Sequence, residues 1–159
     1  MGIFEAMGRN ETPDRPQSML QGAAAGTVGA MAMTGIREFA TAMGWVQLTP
    51  PEDIARNPAR SLVARIPPQR REAAIELAHW AYGGMGGAAF GLLPRTLRRR
   101  LWVGPVYGLA TWAFFQTVLA PALGLQHAEE RPLSERAVLI ADHLVYGLIV
   151  SEPLATVTG

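Results

Sequence analysis

The sequence predicts an all-α protein, a four-helix bundle that crosses a membrane. Hydrophobic residues make up 49% of the 159 residues and charged residues only 17%, against roughly 25% charged residues in ordinary soluble domains. The apolar residues also collect in four stretches, each near the roughly 20 residues that a membrane-spanning helix needs. These observations predict a tail over residues 1–17 and one four-helix transmembrane domain over 18–159.

The four predicted helices cover residues 18–45, 72–94, 101–125 and 137–157. A soluble bundle is the alternative, but a helix that faces water needs a polar side. The third helix, LWVGPVYGLATWAFFQTVLAPALGL, contains no charged residue and offers no such side. Its composition therefore favours a membrane.

Glycines recur at four-residue spacing in the first three predicted helices. This spacing lets helix backbones approach closely in lipid, where van der Waals packing replaces the hydrophobic effect between helices. We therefore expect tight helix packing at Gly22, Gly26, Gly83, Gly87, Gly91, Gly104 and Gly108.

A short pattern occurs twice in the sequence. The second predicted helix contains HWAYG at residues 79–83, and the fourth contains HLVYG at 143–147. The first and third helices both contain a G-xxx-G pair. These matches predict a duplicated two-helix hairpin, with its two copies related by an axis along the membrane normal.

Polar side chains from all four helices are predicted to meet at one depth. The second and fourth helices run in the same direction, and at about 1.5 Å per residue their histidines lie roughly 10 Å below the same membrane face. The first helix also brings Arg37 to this depth, although Arg37 and Glu38 alternatively extend to the membrane surface, as long side chains near helix ends do. The predicted buried polar layer consists of Glu38, Glu76, His79, Gln116, Asp142 and His143.

Three roles for this layer remain open. Neutral histidines hydrogen-bonded to carboxylates or tyrosines would hold the helices together. Ionisable groups inside a bilayer also indicate proton or ion pathways. Haem or a metal ion between His79 and His143 is the third role, because imidazole is a common ligand. Glu76 and His79 form one E-x-x-H element of the kind found in di-iron bundles, but Ile140 precedes His143 at the equivalent position.

Composition and motifs exclude several other classes of protein. A net charge of +1 argues against a nucleic-acid partner. The absence of cysteine excludes disulfides and thiolate metal sites. The sequence contains no phosphate-binding loop, serine elbow or HExxH motif. The sequence thus favours a non-enzymatic accessory or structural subunit whose partners are the lipid bilayer and other membrane subunits or copies of itself, with enzyme activity left undecided.

Arginines in the predicted loops indicate the orientation. The short loop between the second and third helices holds a dense cluster over residues 95–100, and short basic loops face the cytoplasm. The longer first loop also carries arginines but contains Glu52 and Asp53 as well. We therefore predict that both termini are cytoplasmic and that the polar layer lies in the outer half of the membrane.

Several stretches of the sequence resemble the YagU-like family of bacterial inner-membrane proteins. They are HLVYGLIVSE, LWVGPVYGLA, PALGL and, more weakly, the LTPP turn at residues 48–51. The resemblance implies a location in the bacterial inner membrane. It also matches His143 and Glu152 to a histidine and an acid of the family's last helix, and His79 to an earlier histidine. The first loop is shorter here, and the family supplies no established activity to carry over.

Overall fold

The computed structural model describes residues 15–46, 54, 56, 59–122 and 132–151, and all regular structure in these ranges is helical. The predicted all-α class is therefore confirmed. Most of the predicted tail, Glu152 and the predicted ends of the third and fourth helices lie outside the described residues. The helices are α1 (Arg15–Ala42), α2 (Arg60–Val63), α3 (Arg71–Gly91), α4 (Arg95–Arg98), α5 (Val103–Ala122) and α6 (Leu133–Ser151).

The boundaries of the long helices have local causes. α1 ends at Ala42, before the predicted residue 45, because Gly44 takes a left-handed φ of 74°. The amide of Trp45 then donates to the carbonyl of Ala40 at 2.9 Å, which closes the helix with a Schellman motif. α6 begins at Leu133, ahead of the predicted residue 137, with Glu135 in its first turn. An acidic residue there interacts favourably with the helix dipole. Apolar segments alone do not reveal this signal, so the sequence placed the start of the helix too late.

The long helices pack in the order α3, α1, α6, α5. α1 and α3 meet through glycines, with Gly26 of α1 against Gly83 and Gly87 of α3. A Cβ atom added at Gly87 would lie 2.7 Å from the Cα atom of Gly26. Gly22 of α1 faces Gly87 as well, and Gly91 lies against the backbone of Ser18. No larger residue fits these positions at the present helix separation.

α5 and α6 meet in the same way. Gly108 lies against the carbonyl of His143, and a Cβ atom added at Gly108 would lie 3.2 Å from the Cα atom of Gly147. Gly104 contacts the carbonyl of Gly147 and the side chain of Ser151. The two helix pairs therefore use equivalent glycines, which is the packing that a duplicated hairpin would give.

Tyr146 joins the two helix pairs at the α1–α6 interface. Its ring lies on Gly29, where an added Cβ would be 2.8 Å from Cδ2. Its hydroxyl donates to the carbonyl of Gly83 at 2.6 Å. Tyr146 is also part of the buried core, together with Met33, Phe90, Val103 and Val150.

Apolar side chains are exposed along α1, α3, α5 and α6. Leu20 on α1 is 72% exposed, and Met85 on α3 is 65% exposed. Within the described residues, α5 is the one helix long and apolar enough to cross a membrane by length and composition. α1 and α3 are richer in glycine and alanine, and α6 carries Glu135, Arg136 and Asp142.

Candidate functional site

A buried ion pair lies between α1 and α6. Arg37 is 3% exposed and Asp142 is fully buried, with Arg37 Nη1 at 4.0 Å from Asp142 Oδ2. Neither carboxylate oxygen of Asp142 has a hydrogen-bond partner in the part of the chain that the structure describes. The two groups therefore interact through charge, and each depends on the other because an isolated buried charge is very costly.

Arg37 also contacts α3 through His79. Its Nη1 atom lies 3.1 Å from His79 Nε2. A guanidinium can only donate, so Nε2 accepts the hydrogen bond and a neutral His79 ring carries its proton on Nδ1. Arg37 thus joins three helices, since it pairs with Asp142 on α6 and with His79 on α3.

Thr34 extends these contacts by one helical turn. Its hydroxyl donates to Glu76 Oε2 at 2.7 Å and accepts from Arg37 Nη2 at 3.3 Å. Trp80 Nε1 donates to the same hydroxyl oxygen at 3.1 Å. We call Thr34, Arg37, Glu76, His79 and Asp142 the Arg37 cluster. It links α1 to both of its neighbouring long helices.

The structure places the members of the predicted polar layer differently from one another. Glu76, His79 and Asp142 belong to the Arg37 cluster. Glu38, predicted to be buried, is exposed, because it follows Arg37 by one residue and projects from another side of α1. The remaining two members, His143 and Gln116, line an adjoining cavity. Arg37 itself does not extend to the surface.

The cavity lies between α3 and α5 and has a volume of about 740 Å³. Tyr107 closes one end, where its hydroxyl donates to the carbonyl of Gly86 at 2.6 Å and its ring contacts Phe90 edge-on. Leu62 and Ile66, in and just after α2, lie at the other end. The walls are mainly apolar. Polar side chains enter it from several helices: Arg37, His79, Tyr82, Thr111, Gln116 and His143.

A π-helical turn at Phe115–Leu119 shapes the α5 wall of the cavity. Such turns often occur at functional sites. Pro121 follows the turn and lacks the amide hydrogen that a regular helix would use there. The turn contributes Phe115, Gln116 and Leu119 to the lining of the cavity.

The surroundings of His79 and His143 bear on the predicted metal or haem role. In the described ranges, no group of three or more His, Cys, Asp or Glu side chains is arranged to hold a metal ion. Arg37 occupies the lone pair of His79 Nε2, and its positive charge opposes a second cation nearby. His143 Nδ1 donates to the Leu139 carbonyl at 2.7 Å. For His79 to bind a metal ion or haem iron through Nε2, Arg37 would first have to move away from that atom.

Sequence reasoning found only part of the site. Thr34 and Trp80 were not among the predicted residues, and Arg37 was given an alternative place at the membrane surface. One feature of the sequence did point to Arg37, which is the only basic residue inside the four predicted helices. A carboxylate buried at Asp142 needs a cation, and the sequence offers no other at that depth.

Comparison with known proteins does not identify a family for this chain. No family model, no curated protein and no solved structure matches the chain. The resemblance to the YagU-like family stays a prediction.

Proposed function

We propose that the chain is a four-span protein of the bacterial inner membrane and acts as a non-enzymatic accessory or structural subunit, in a membrane complex or as a small oligomer. The exposed apolar surface of the four long helices is the observation that carries this proposal. Soluble monomers rarely expose continuous apolar patches larger than a few hundred Å². Leu20, Leu77, Val106 and Leu148 contribute to this surface from four different helices.

The distribution of charge supports the same proposal. Residues 18–36, 77–94 and 101–122 contain no charged side chain. Asp142, the charge in the middle of α6, is fully buried rather than turned outward. Charges thus lie at the helix ends or inside the bundle, as lipid requires.

The Arg37 cluster gives this bundle its specific arrangement. The glycine contacts are tight, but the glycines recur every four residues. Glycine contacts alone would therefore also allow one helix to shift along its neighbour by four residues. A charge pair between Arg37 and Asp142, together with the Arg37 to His79 hydrogen bond, is satisfied in one register alone. The cluster therefore selects one packing of α1 against α3 and α6, a role buried polar groups play in some helical assemblies.

The membrane topology can be tested with single cysteines, because the native chain has none. We expect Thr96→Cys, between the second and third spans, to be labelled by a membrane-impermeant maleimide only after cells are opened. Ser61→Cys, in α2 on the predicted outer side, is labelled in intact cells. Both sites are exposed on the single chain. Extraction of the protein by alkaline carbonate, or labelling of both sites from one side, would contradict four spans.

A proton pathway is a second candidate function, and the surroundings of the Asp142 carboxylate favour it. Its carboxylate is fully buried and has no hydrogen-bond partner among the described residues. Arg37 lies between this carboxylate and His79, and His79 and His143 both line the cavity. Intramembrane carboxylates and histidines are typical of proton relays. Because a guanidinium keeps its proton, Arg37 would position Asp142 and His79 and would not itself pass a proton between them.

This candidate requires proton flux through the purified protein. In proteoliposomes with a membrane potential and an internal pH dye, flux should exceed that of empty liposomes and be lost in Asp142→Asn and Glu76→Gln. The exposed neighbour Glu38→Gln serves as the matched control and should keep the flux. Equal rates with and without the wild-type protein would eliminate the pathway and leave the structural role in place.

A further inference from the structure

The segment between α3 and α5 is strongly basic. We call residues 92–102 the basic loop, and its arginines are Arg95, Arg98, Arg99 and Arg100. No Asp or Glu accompanies them, because residues 77–128 of the sequence contain neither. The helix bundle therefore presents a concentrated positive charge where α3 ends and α5 begins.

One of these arginines holds the basic loop in place. Arg98 Nε donates to the carbonyl of Leu93 at 3.0 Å, and Arg98 Nη2 donates to Ser18 Oγ at 3.3 Å. Ser18 is buried near the start of α1, where its backbone lies against Gly91 of α3. The basic loop is thus attached to α1 as well as to the two helices that it connects.

The other three arginines are available to a ligand. Arg95, Arg99 and Arg100 are exposed, and none of them makes a salt bridge or a side-chain hydrogen bond with another described residue. The amide of Arg99 donates to the carbonyl of Arg95 at 3.2 Å, so these two residues lie four positions apart on one helical turn. Like charges at this spacing repel each other, and a bound anion would offset the repulsion.

Exposed apolar side chains surround the arginines along the chain. Leu92 precedes them and Leu97 lies among them, both exposed. Leu101, which is 92% exposed, and the exposed Trp102 follow them. Tryptophan is enriched where a spanning helix meets the lipid headgroups. A phospholipid offers a phosphate to the arginines and acyl chains to the apolar side chains, whereas nucleic acid or free phosphate would leave the apolar side chains in water.

We propose that the basic loop binds an anionic phospholipid of the bilayer, with its phosphate at Arg95, Arg99 and Arg100 and its acyl chains beside the exposed leucines. A guanidinium suits this ligand because it donates paired hydrogen bonds to phosphate oxygens. Clusters of about four to eight basic residues next to a spanning helix are typical of sites for anionic headgroups. The assignment rests on the proposed membrane location and adds a lipid class that the location alone does not require.

Native mass spectrometry of the detergent-purified chain tests this binding. Dioleoylphosphatidylglycerol and dioleoylphosphatidylcholine are the probes, since they share acyl chains and differ in headgroup charge. We expect the first phosphatidylglycerol to bind at least about tenfold more tightly, because each arginine near an anionic headgroup contributes roughly fivefold. Equal affinities would overturn the assignment, and they are the result expected if acids of residues 1–14 or Glu152 already neutralised the loop.

Inorganic phosphate separates a lipid site from a site for any phosphate. Added at the same concentration as the lipid, it should not displace phosphatidylglycerol, because it makes no contact with the exposed leucines and Trp102. Displacement at that concentration would show that the loop binds a free anion, and would overturn the lipid assignment.

Two triple variants locate the adduct. The loop variant carries Arg95→Gln, Arg99→Gln and Arg100→Gln. The control variant removes as many charges from exposed positions at the other end of the helices, with Arg60→Gln, Arg65→Gln and Arg70→Gln. We expect the loop variant to bind the two lipids alike, with native helical content, and the control variant to keep the preference. An equal loss of preference in both would mean that binding follows net charge, and would overturn this site.

Failure of the lipid site can be told apart from failure of the membrane location. A chain that needs detergent to stay dispersed, but binds both lipids equally, would keep the proposed membrane role and lose the lipid site. A chain that stays dispersed and monomeric without detergent would lose both.

Discussion

Replacing Arg37 with Met is expected to lower the free energy of unfolding by about 3–5 kcal/mol, the usual effect of removing one partner of a buried ion pair. The substitution leaves the fully buried Asp142 without a cation. It also removes the donor to His79 Nε2 and one donor to Thr34. SDS titration in mixed micelles, followed by circular dichroism, measures the change.

A double variant separates the cost of an orphaned charge from lost packing. Arg37→Met combined with Asp142→Val removes both charges and introduces apolar side chains that are no longer than the originals. We expect it to be more stable than Arg37→Met alone, because apolar residues that replace both members of a buried pair are often tolerated. Glu38→Gln, next to Arg37 but exposed, should change stability by about 0.5 kcal/mol or less. If the double variant lost as much as the two single variants together, the two residues would not act as a pair.

The fold class and the packing glycines were accessible from the sequence because both depend on local patterns. Apolar stretches near membrane length predict long helices, and four-residue glycine spacing marks the helix faces that meet. The structure brings Gly26 to Gly87 and Gly108 to Gly147. These contacts need only that small residues lie on one side of each helix, which spacing alone determines.

The residues of the polar site could be predicted only in part from the sequence. The position of a residue along a helix gives its depth in the membrane, but it does not give the direction in which the side chain projects from the helix axis. Glu38 and Arg37 lie at nearly the same depth, yet one is exposed and the other buried. The direction that a side chain takes depends on which helices are neighbours, and the order α3, α1, α6, α5 is a tertiary property. Thr34 was missed for the same reason, since a lone threonine in an apolar helix shows no pattern before its partners on α3 are known.

The cavity was also beyond sequence reasoning, although its cause is visible in the duplicated pattern. The repeat predicts two equivalent hairpins, and equivalent hairpins would close both interfaces between them. The repeat pairs Gly22 with Gly104. Seven residues further on in each half, Gly29 and Thr111 differ in size, so one interface closes over Tyr146 and the other remains open. A comparison of the two halves residue by residue would have found this difference, whereas the motif match alone did not.

The second large effect is expected at Gly87, where a single added methyl group should cost about 1–3 kcal/mol or more. The Cβ of Gly87→Ala would meet the carbonyl of Gly22 and would lie 2.8 Å from the amide nitrogen of Gly26. Both neighbours are backbone atoms of α1, so no side chain can rotate away and the helices must separate. Gly108→Ala should have a similar effect, because its Cβ meets the carbonyl of His143 on α6.

Gly35→Ala is the matched control for these substitutions. Gly35 lies in the same helix as Gly22 and Gly26, but nothing lies within 4 Å of a Cβ atom added there. Removal of a glycine from a helix interior then reduces the entropy lost on folding, and we expect a gain of about 0.5–1 kcal/mol. Opposite signs for Gly35→Ala and Gly87→Ala in the same SDS titration would show that contact between backbones sets the helix separation. A loss at Gly35 as large as that at Gly87 would instead mean that α1 packs through a different face.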